Sequence, residues 1–193
     1  MRKKSWGEHH KSLLDYVVER QRFTIINKFI KHNPSILDLG CGYDAKLLNN
    51  FKGRIKNGVG IDLSVGTCIN KIKLIKGRVD KKINLKSGQF DIVTSLAVIE
   101  HVDFPEIMLK ESFRLLKKGG ILLITTPSRY SKPLLELLAF KLRVISGNEI
   151  ADHKRYYDTN TLKRLLVNSS FSPNNIKIRY FQLGLNIFAI AKK

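Results

Sequence analysis

Ile36-Leu37-Asp38-Leu39-Gly40-Cys41-Gly42 decides how this chain reads. A short apolar run ends in an acid and two glycines, and the polar Tyr43-Asp44 follows. An unbroken apolar run of this length is a strand buried on both faces, as in parallel sheets. The glycines then turn the chain tightly and let backbone and ligand approach each other closely. In doubly wound α/β proteins that turn, at the carboxyl end of a first strand, is where nucleotide-like cofactors bind.

On both sides of this stretch helical and strand patterns alternate. Residues 5–32 form a helical cap, with Leu14, Val18, Ile25 and Phe29 near the helical period. Asn33-Pro34 stops it, because the residue before proline disfavours the α region. The strand at 35–39 leads through the glycine turn to a helix near 45–51. Strands follow at 59–63, 72–79 and 90–96, the last rich in β-branched residues. Asp103 caps a helix whose first turn holds Pro105 and Glu106 and whose end is marked by Lys117-Lys118 and Gly119-Gly120. A fifth strand at 121–126 is nearly all apolar and therefore central. A helix at 158–168 precedes two closing strands, 177–181 and 186–191, which pair as a hairpin through Gly184. The expected fold is a three-layer Rossmann-like sandwich on a mostly parallel seven-stranded sheet, with one antiparallel strand near the C-terminus. At 193 residues, one domain over 1–193 accounts for the chain.

Residues 128–152 are a variable helical insertion that this core does not require. Leu134, Leu135, Leu137, Leu138, Phe140, Leu142, Val144 and Ile145 make it too apolar for a plain loop. It is expected to pack as a lid over a cofactor edge or an acceptor pocket. The sharper alternative is peripheral membrane contact through 132–146, with Lys132, Lys141 and Arg143 at the rim.

The formal charge is +19, from 35 Lys and Arg against 16 Asp and Glu. Such a balance fits a nucleic-acid partner. Its spread along the chain and the excess of Lys over Arg favour a lysine-rich background instead. Cys41 and Cys68 make neither a metal-ligand spacing nor a disulfide framework, so a reducing cytoplasm suits them. No metal is expected, and the sequence assigns no oligomeric state. Met1-Arg2-Lys3-Lys4 is followed by no apolar stretch of the kind a signal peptide needs.

Asp62 closes the second strand 22 residues after Gly40, where an acid can accept both ribose hydroxyls. This alone leaves NAD, FAD and S-adenosylmethionine (SAM) open. Four motifs in order narrow the field: Ile36-Leu37-Asp38-Leu39-Gly40-Cys41-Gly42, Gly60-Ile61-Asp62-Leu63-Ser64, Phe90-Asp91-Ile92-Val93-Thr94-Ser95 with Glu100-His101-Val102, and Leu115-Leu116-Lys117-Lys118-Gly119-Gly120. Over about residues 20–126 they resemble the class I SAM-dependent methyltransferases, in particular the small methyltransferase type 11 branch. The resemblance implies SAM as cofactor and a role for each motif. Asp38 would orient the glycine loop and meet the methionine amino group. Gly40, Cys41 and Gly42 would lie along the cofactor, Asp62 would take the ribose hydroxyls, and Leu63 would pack on adenine. The backbone of Ser95, Leu96 and Ala97 would border the sulfonium.

The chain departs from that pattern twice. Asp44 stands where many relatives carry a third glycine. After the third strand, where an acid usually meets the adenine amino group, this chain has Arg78, with Asp80 two residues on. Asp80 either substitutes for that acid or sits solvated in a turn. An oxygen acceptor also needs its proton removed, and histidine suits that near neutral pH. His101, after the fourth strand, and His153, after the insertion, are the candidates, with Asp152 expected to orient His153. His9 and His10 are more distant ones, and with Trp6 they would close over a cofactor or cap and pack the helix. The expected reaction is methyl transfer from SAM to a small-molecule acceptor, at oxygen, with a quinone precursor, lipid or glycan intermediate as the apolar candidates. An RNA methyltransferase and a non-catalytic SAM-binding protein are the rivals.

Overall fold

The computed structural model describes residues 13–67, 71–141 and 147–193. Trp6, His9, His10, Cys68, Leu142, Arg143, Val144 and Ile145 lie outside the described residues. The elements in order are α1 (Leu13–Asn27), β1 (Ser35–Leu39), α2 (Lys46–Phe51), β2 (Asn57–Asp62), β3 (Ile72–Lys76), β4 (Phe90–Leu96) and α3 (Pro105–Leu115). They continue with β5 (Leu116–Pro127), α4 (Lys132–Glu136), α5 (Gly147–Ala151), α6 (Thr159–Asn168), β6 (Ile176–Phe181) and β7 (Asn186–Lys192). The strands form one seven-stranded sheet in the order β3-β2-β1-β4-β5-β7-β6. Only β7 runs against its neighbours, pairing antiparallel with both β5 and β6. The expected Rossmann-like sheet with one antiparallel strand is the fold observed.

Alternation along the central strands explains the three layers. Leu37, Leu39, Val93, Leu122 and Ile124 face one core, which α3 and α6 close with Met108, Leu109, Leu162 and Leu166. Ile36, Ile92 and Leu123 face the other, closed by α1, the turn after it and α2 through Ile26, Ile30, Leu47, Leu48 and Phe51. Successive residues of one strand thus feed opposite cores, and so the central strands read as continuous apolar runs.

Several boundaries differ from expectation. Helix α1 ends at Asn27, where Lys28 N and Phe29 N turn back to Ile25 O and Ile26 O, and His32 and Asn33 then take left-handed backbone before Pro34. Ile26 of the helix and Ile30 just beyond it are buried. Strand β3 stops at Lys76, where Gly77 N donates back to Asp62 O. Helix α3 ends at Leu115, not at Gly119-Gly120. Leu116 already pairs with Phe90 in β5, and the register then jumps to Ile92 opposite Ile121. The residues between form a bulge in which Lys117 Nζ reaches both Asp91 oxygens at 2.8 Å. A lysine pair and two glycines, read as a helix end, are instead a strand irregularity. Asp103 does not cap α3 either, since Phe104 is the capping residue and no side chain bonds there.

The insertion leaves and rejoins the sheet at one place. Ser128 bridges Tyr157, and Arg129 N donates to Tyr157 O at 2.8 Å. Its apolar residues are not buried as expected: Leu134 is 39% exposed, Leu137 42% and Phe140 54%. Among the described residues no helix is long and apolar enough to cross a membrane.

The loop between β3 and β4 is held against α3 by hydrogen bonds from Glu111 and Arg114, an ion pair within that helix. Glu111 accepts from Arg114 at 2.6 Å and from Ile83 N at 2.8 Å, while Arg114 donates to Ile83 O and Leu85 O. The Arg114 guanidinium first, helped by Ile83 N–H and opposed by burial, holds the Glu111 carboxyl below the usual range. A lowered carboxyl stabilises the fold above its ordinary value, and that stability is lost as pH falls through the lowered one. Urea unfolding of Glu111→Gln is expected to show a loss of about 1.5–3 kcal/mol at neutral pH. The gap from the parent should close under acid conditions; a gap unchanged down to pH about 3 would contradict this coupling.

Candidate active site

The cleft lies at the carboxyl ends of β1, β2 and β4. Its walls include Asp38, Gly40, Cys41, Gly42, Asp62, Leu63, Asp80, Leu96, Ala97 and His101. These are all the predicted site residues except Ser95 and His153. Ser95 is fully buried, and its hydroxyl points into the core at Met108 Sδ, 3.9 Å away. His153 sits on an adjoining cleft that shares Lys154 with this one.

Asp62 builds the glycine turn. Its Oδ2 accepts from Gly42 N at 2.8 Å and its Oδ1 from Leu63 N at 2.7 Å. Gly40 N and Cys41 N both donate to Ile61 O. The carboxylate that orients the loop is therefore that of Asp62; Asp38 had been expected in that role. Gly40 has φ +73°, and a Cβ there would fall 2.3 Å from Val98 Cγ2. Glycine at 40 is thus demanded by the crossing of the loop after β4. Ala45 and Ala97 also hold left-handed backbone, at φ 45° and 57°. Strain of this kind collects at functional sites. Ala45 makes the sharp entry into α2, so Asp44 is not strained itself.

Asp38 is 3% exposed, and its Oδ1 accepts from Thr94 Oγ1 at 2.6 Å. Burial pushes its carboxyl up to about 7, the Thr94 hydroxyl opposes that, and the nearby Asp62 charge adds to it. Cys41 lies alongside with its thiol pushed up by burial first, then by Asp38 and Asp62. It stays a thiol and is not a nucleophile.

On the adenine side of the family pattern, Asp80 is a buried part of the cleft wall and not a solvated turn residue. Arg78 Nε and Nη2 engage its two oxygens at 2.9 and 2.7 Å. Asp80 Oδ2 also accepts from Asp103 N, at the start of α3. Arg78 continues to Asp103 at 2.7 Å, and Lys154 grips the other Asp103 oxygen. Lys154 first, then Arg78, holds the Asp103 carboxyl down at about 2. This chain of charges joins the loops after β3 and β4 to the end of the insertion. Asp103 reads in the sequence only as a helix cap and Lys154 has no local signal, because the contact that joins them spans 51 residues. The cleft wall supplied by Glu19, Arg22 and Phe23 of α1 has no such signal either.

The acceptor side gathers residues from two loops. Glu100 is fully buried and accepts from Thr126 Oγ1 at 3.0 Å. His101 Nδ1 lies 3.2 Å from Asp152 O and 3.4 Å from its carboxylate. Asp152, expected beside His153, is placed against His101. At His153 the Tyr156 hydroxyl is 3.0 Å from Nδ1. The two imidazole centroids are 4.8 Å apart.

A fold of this order, with a glycine turn closed by the acid at the end of β2, has counterparts among known proteins. A family model described as a methyltransferase domain matches residues 10–173. The mitochondrial ubiquinone biosynthesis O-methyltransferase of Saccharomyces cerevisiae is 32% identical over 143 residues, covering 64% of this chain and 45% of that protein. This chain therefore spans under half the length of that relative. The ubiquinone/menaquinone biosynthesis C-methyltransferase of Neisseria gonorrhoeae is 26% identical, covering 89% and 79%. A SAM-dependent methyltransferase structure from Mesorhizobium loti superposes with a TM-score of 0.69 at 16% identity, covering 93% of this chain and all of that one. The match over most of the chain, together with the strand order and the glycine turn, establishes that the protein belongs to the methyltransferase domain family, the class I SAM-dependent methyltransferases.

Proposed function

We propose that this protein transfers the methyl group of SAM to an oxygen of a small amphipathic molecule. The observation that carries the reading is His101, which lines the cofactor cleft while an acid on the insertion holds its other face. The cleft fits SAM on its own chemistry. A carboxyl as buried as Asp38 calls for a cation, and the SAM amino group supplies one. Asp62 stands on the cleft wall at the end of β2, and a carboxylate there suits ribose hydroxyls. Arg78 bars a carboxylate contact to adenine here, so the backbone of Val79 and the apolar side chain of Leu63 are left for that ring.

SAM supplies an electrophilic methyl group on a sulfonium, which leaves as a neutral thioether. The acceptor O–H gives its proton to His101 as the new O–C bond forms and the C–S bond breaks. The Asp152 carboxylate then faces the imidazolium and stabilises it. Much of the acceleration comes from holding the oxygen in line with the methyl group.

The insertion sets the acceptor class in this reading. Tyr130, Leu134, Leu137 and Phe140 are exposed, and Lys132 and Lys141 flank them. An exposed apolar stretch with a cationic rim favours lipid-like acceptors and contact with an anionic membrane surface. The remaining positive charge needs no nucleic acid. Lys73 and Lys76 on β3, with Lys177 and Arg179 on β6, are exposed on the two edge strands. Cations there block edge-to-edge pairing. The buried, unpaired thiol of Cys41 suits a reducing cytoplasm.

Labelled SAM incubated with cellular small-molecule extracts should yield a labelled product that partitions into organic solvent. Label found only in RNA would overturn the reading. His101→Gln is expected to lower kcat by about 100- to 10,000-fold with SAM affinity unchanged. Asp38 gives a pH dependence with a definite sign. Its raised value favours the protonated, empty protein at low pH, and that stability is lost as pH climbs from 3.8 to about 7. A cationic ligand prefers the carboxylate, so SAM affinity should rise about tenfold between pH about 6 and 8. Calorimetry on Asp38→Asn should show no such rise. Co-sedimentation with vesicles of anionic lipid should fall when Leu134, Leu137 and Phe140 are replaced by Ser; unchanged sedimentation would remove membrane contact.

A further inference from the structure

His101 and His153 stand edge to face, yet their Nδ1 atoms meet partners of different kind. Asp152 offers His101 a carbonyl oxygen and a carboxylate oxygen, both of which only accept hydrogen bonds. The hydrogen of a neutral His101 ring therefore resides on Nδ1, and Nε2 is its accepting nitrogen. Tyr156 offers His153 a phenol, 3.0 Å from Nδ1, that both donates and accepts. The buried Glu100 carboxylate beside the two rings only accepts, and with the His101 hydrogen turned to Asp152 an N–H for it must come from His153. The Tyr156 hydroxyl then donates to Nδ1, and the hydrogen of that ring resides on Nε2. The surroundings agree with this. A Glu100 oxygen and one nitrogen of each imidazole lie within 4.8 Å of one another. A fully buried carboxylate needs N–H or O–H donors around it, and Thr126 supplies one.

We propose that the two imidazoles hold opposite tautomers, that His101 takes the acceptor's proton while His153 donates to the same oxygen, and that Tyr156 is the positioning residue that enforces the difference. The inference rests on His101 as the base of the methyl transfer. It adds an assignment for His153 and Tyr156 that neither sequence spacing nor the resemblance contains. The division gives the acceptor oxygen a fixed orientation: its hydrogen faces one ring and a lone pair faces the other. A lone base would leave that oxygen free to rotate about its bond, which a displacement in line with the methyl group cannot use.

Two-bond 1H–15N spectra of the full chain at pH about 8.5, well above the ordinary histidine value of about 6.5, report the tautomers directly. His101→Gln and His153→Gln assign the signals. The expected pattern is Nδ1–H for His101 and Nε2–H for His153. In Tyr156→Phe the His153 signals should move toward the average of both tautomers, with His101 unchanged and S-adenosylhomocysteine affinity within twofold of the parent. The same tautomer on both rings, or a His153 pattern untouched by Tyr156→Phe, would overturn the proposal. So would tight binding of zinc chloride alone that is lost in both histidine variants, because Nε2 ligation would require Nδ1–H on each ring. The spectra need no acceptor, so their outcome is separate from whether methyl transfer is detected.

Discussion

The carboxylate of Asp62 holds the cleft together. It sits at the end of β2 and accepts the N–H groups of Gly42 and Leu63, one on each oxygen. Through Gly42 it fixes the turn after β1, and through Leu63 it fixes the start of the next loop. With Ile61 O taking Gly40 N and Cys41 N, the turn becomes a rigid extension of two parallel strands. Everything that faces a cofactor hangs on this join. Asp38 stays buried because the turn closes over it, and Val98 from the loop after β4 fills the space that Gly40 leaves. A charged acceptor with backbone donors is among the stronger interactions a loop can use.

The second structural theme is a line of alternating charge across the cleft. Arg78, Asp80, Asp103 and Lys154 run from the cofactor side to the insertion, and Arg155 adds bonds to Val102 O and Asp103 O. Lys154 N also donates to Glu100 O. These contacts seat Asp152, His153 and Tyr156 beside the loop that carries Glu100 and His101. The insertion is thereby anchored at its exit while its apolar residues stay exposed. One segment can in this way present a hydrophobic surface outward and a precise polar cluster inward.

The central strands were legible because β1, β4 and β5 are buried on both faces and read as apolar runs, while their order in the sheet follows only from the pairing. Strand β1 and β4 begin and end where their sequences say. The start of β5 was not legible, since Lys117-Lys118-Gly119-Gly120 carries the local signature of a helix end. Only the pairing of Leu116 with Phe90 and the reach of Lys117 to Asp91 turn it into a bulge. In the site, the residue types were legible and the partners were not. Asp38, Asp62, His101 and His153 were singled out by position, but which carboxylate holds the loop and which acid holds which histidine depend on contacts across 20 to 51 residues. Asp80 shows the same limit, because its ion pair with Arg78 is local while its bond to the start of α3 is not.

The central claim is that this cleft binds SAM through Asp62 and the turn it holds. Calorimetric titration of the parent and Asp62→Ala with S-adenosylhomocysteine at neutral pH tests it most directly. The account predicts one site in the parent and a loss of affinity of at least tenfold in the variant, since the hydrogen bonds to a charged acceptor are worth about 1.5–3 kcal/mol. Equal affinity in the two proteins, or no binding in the parent, would contradict it.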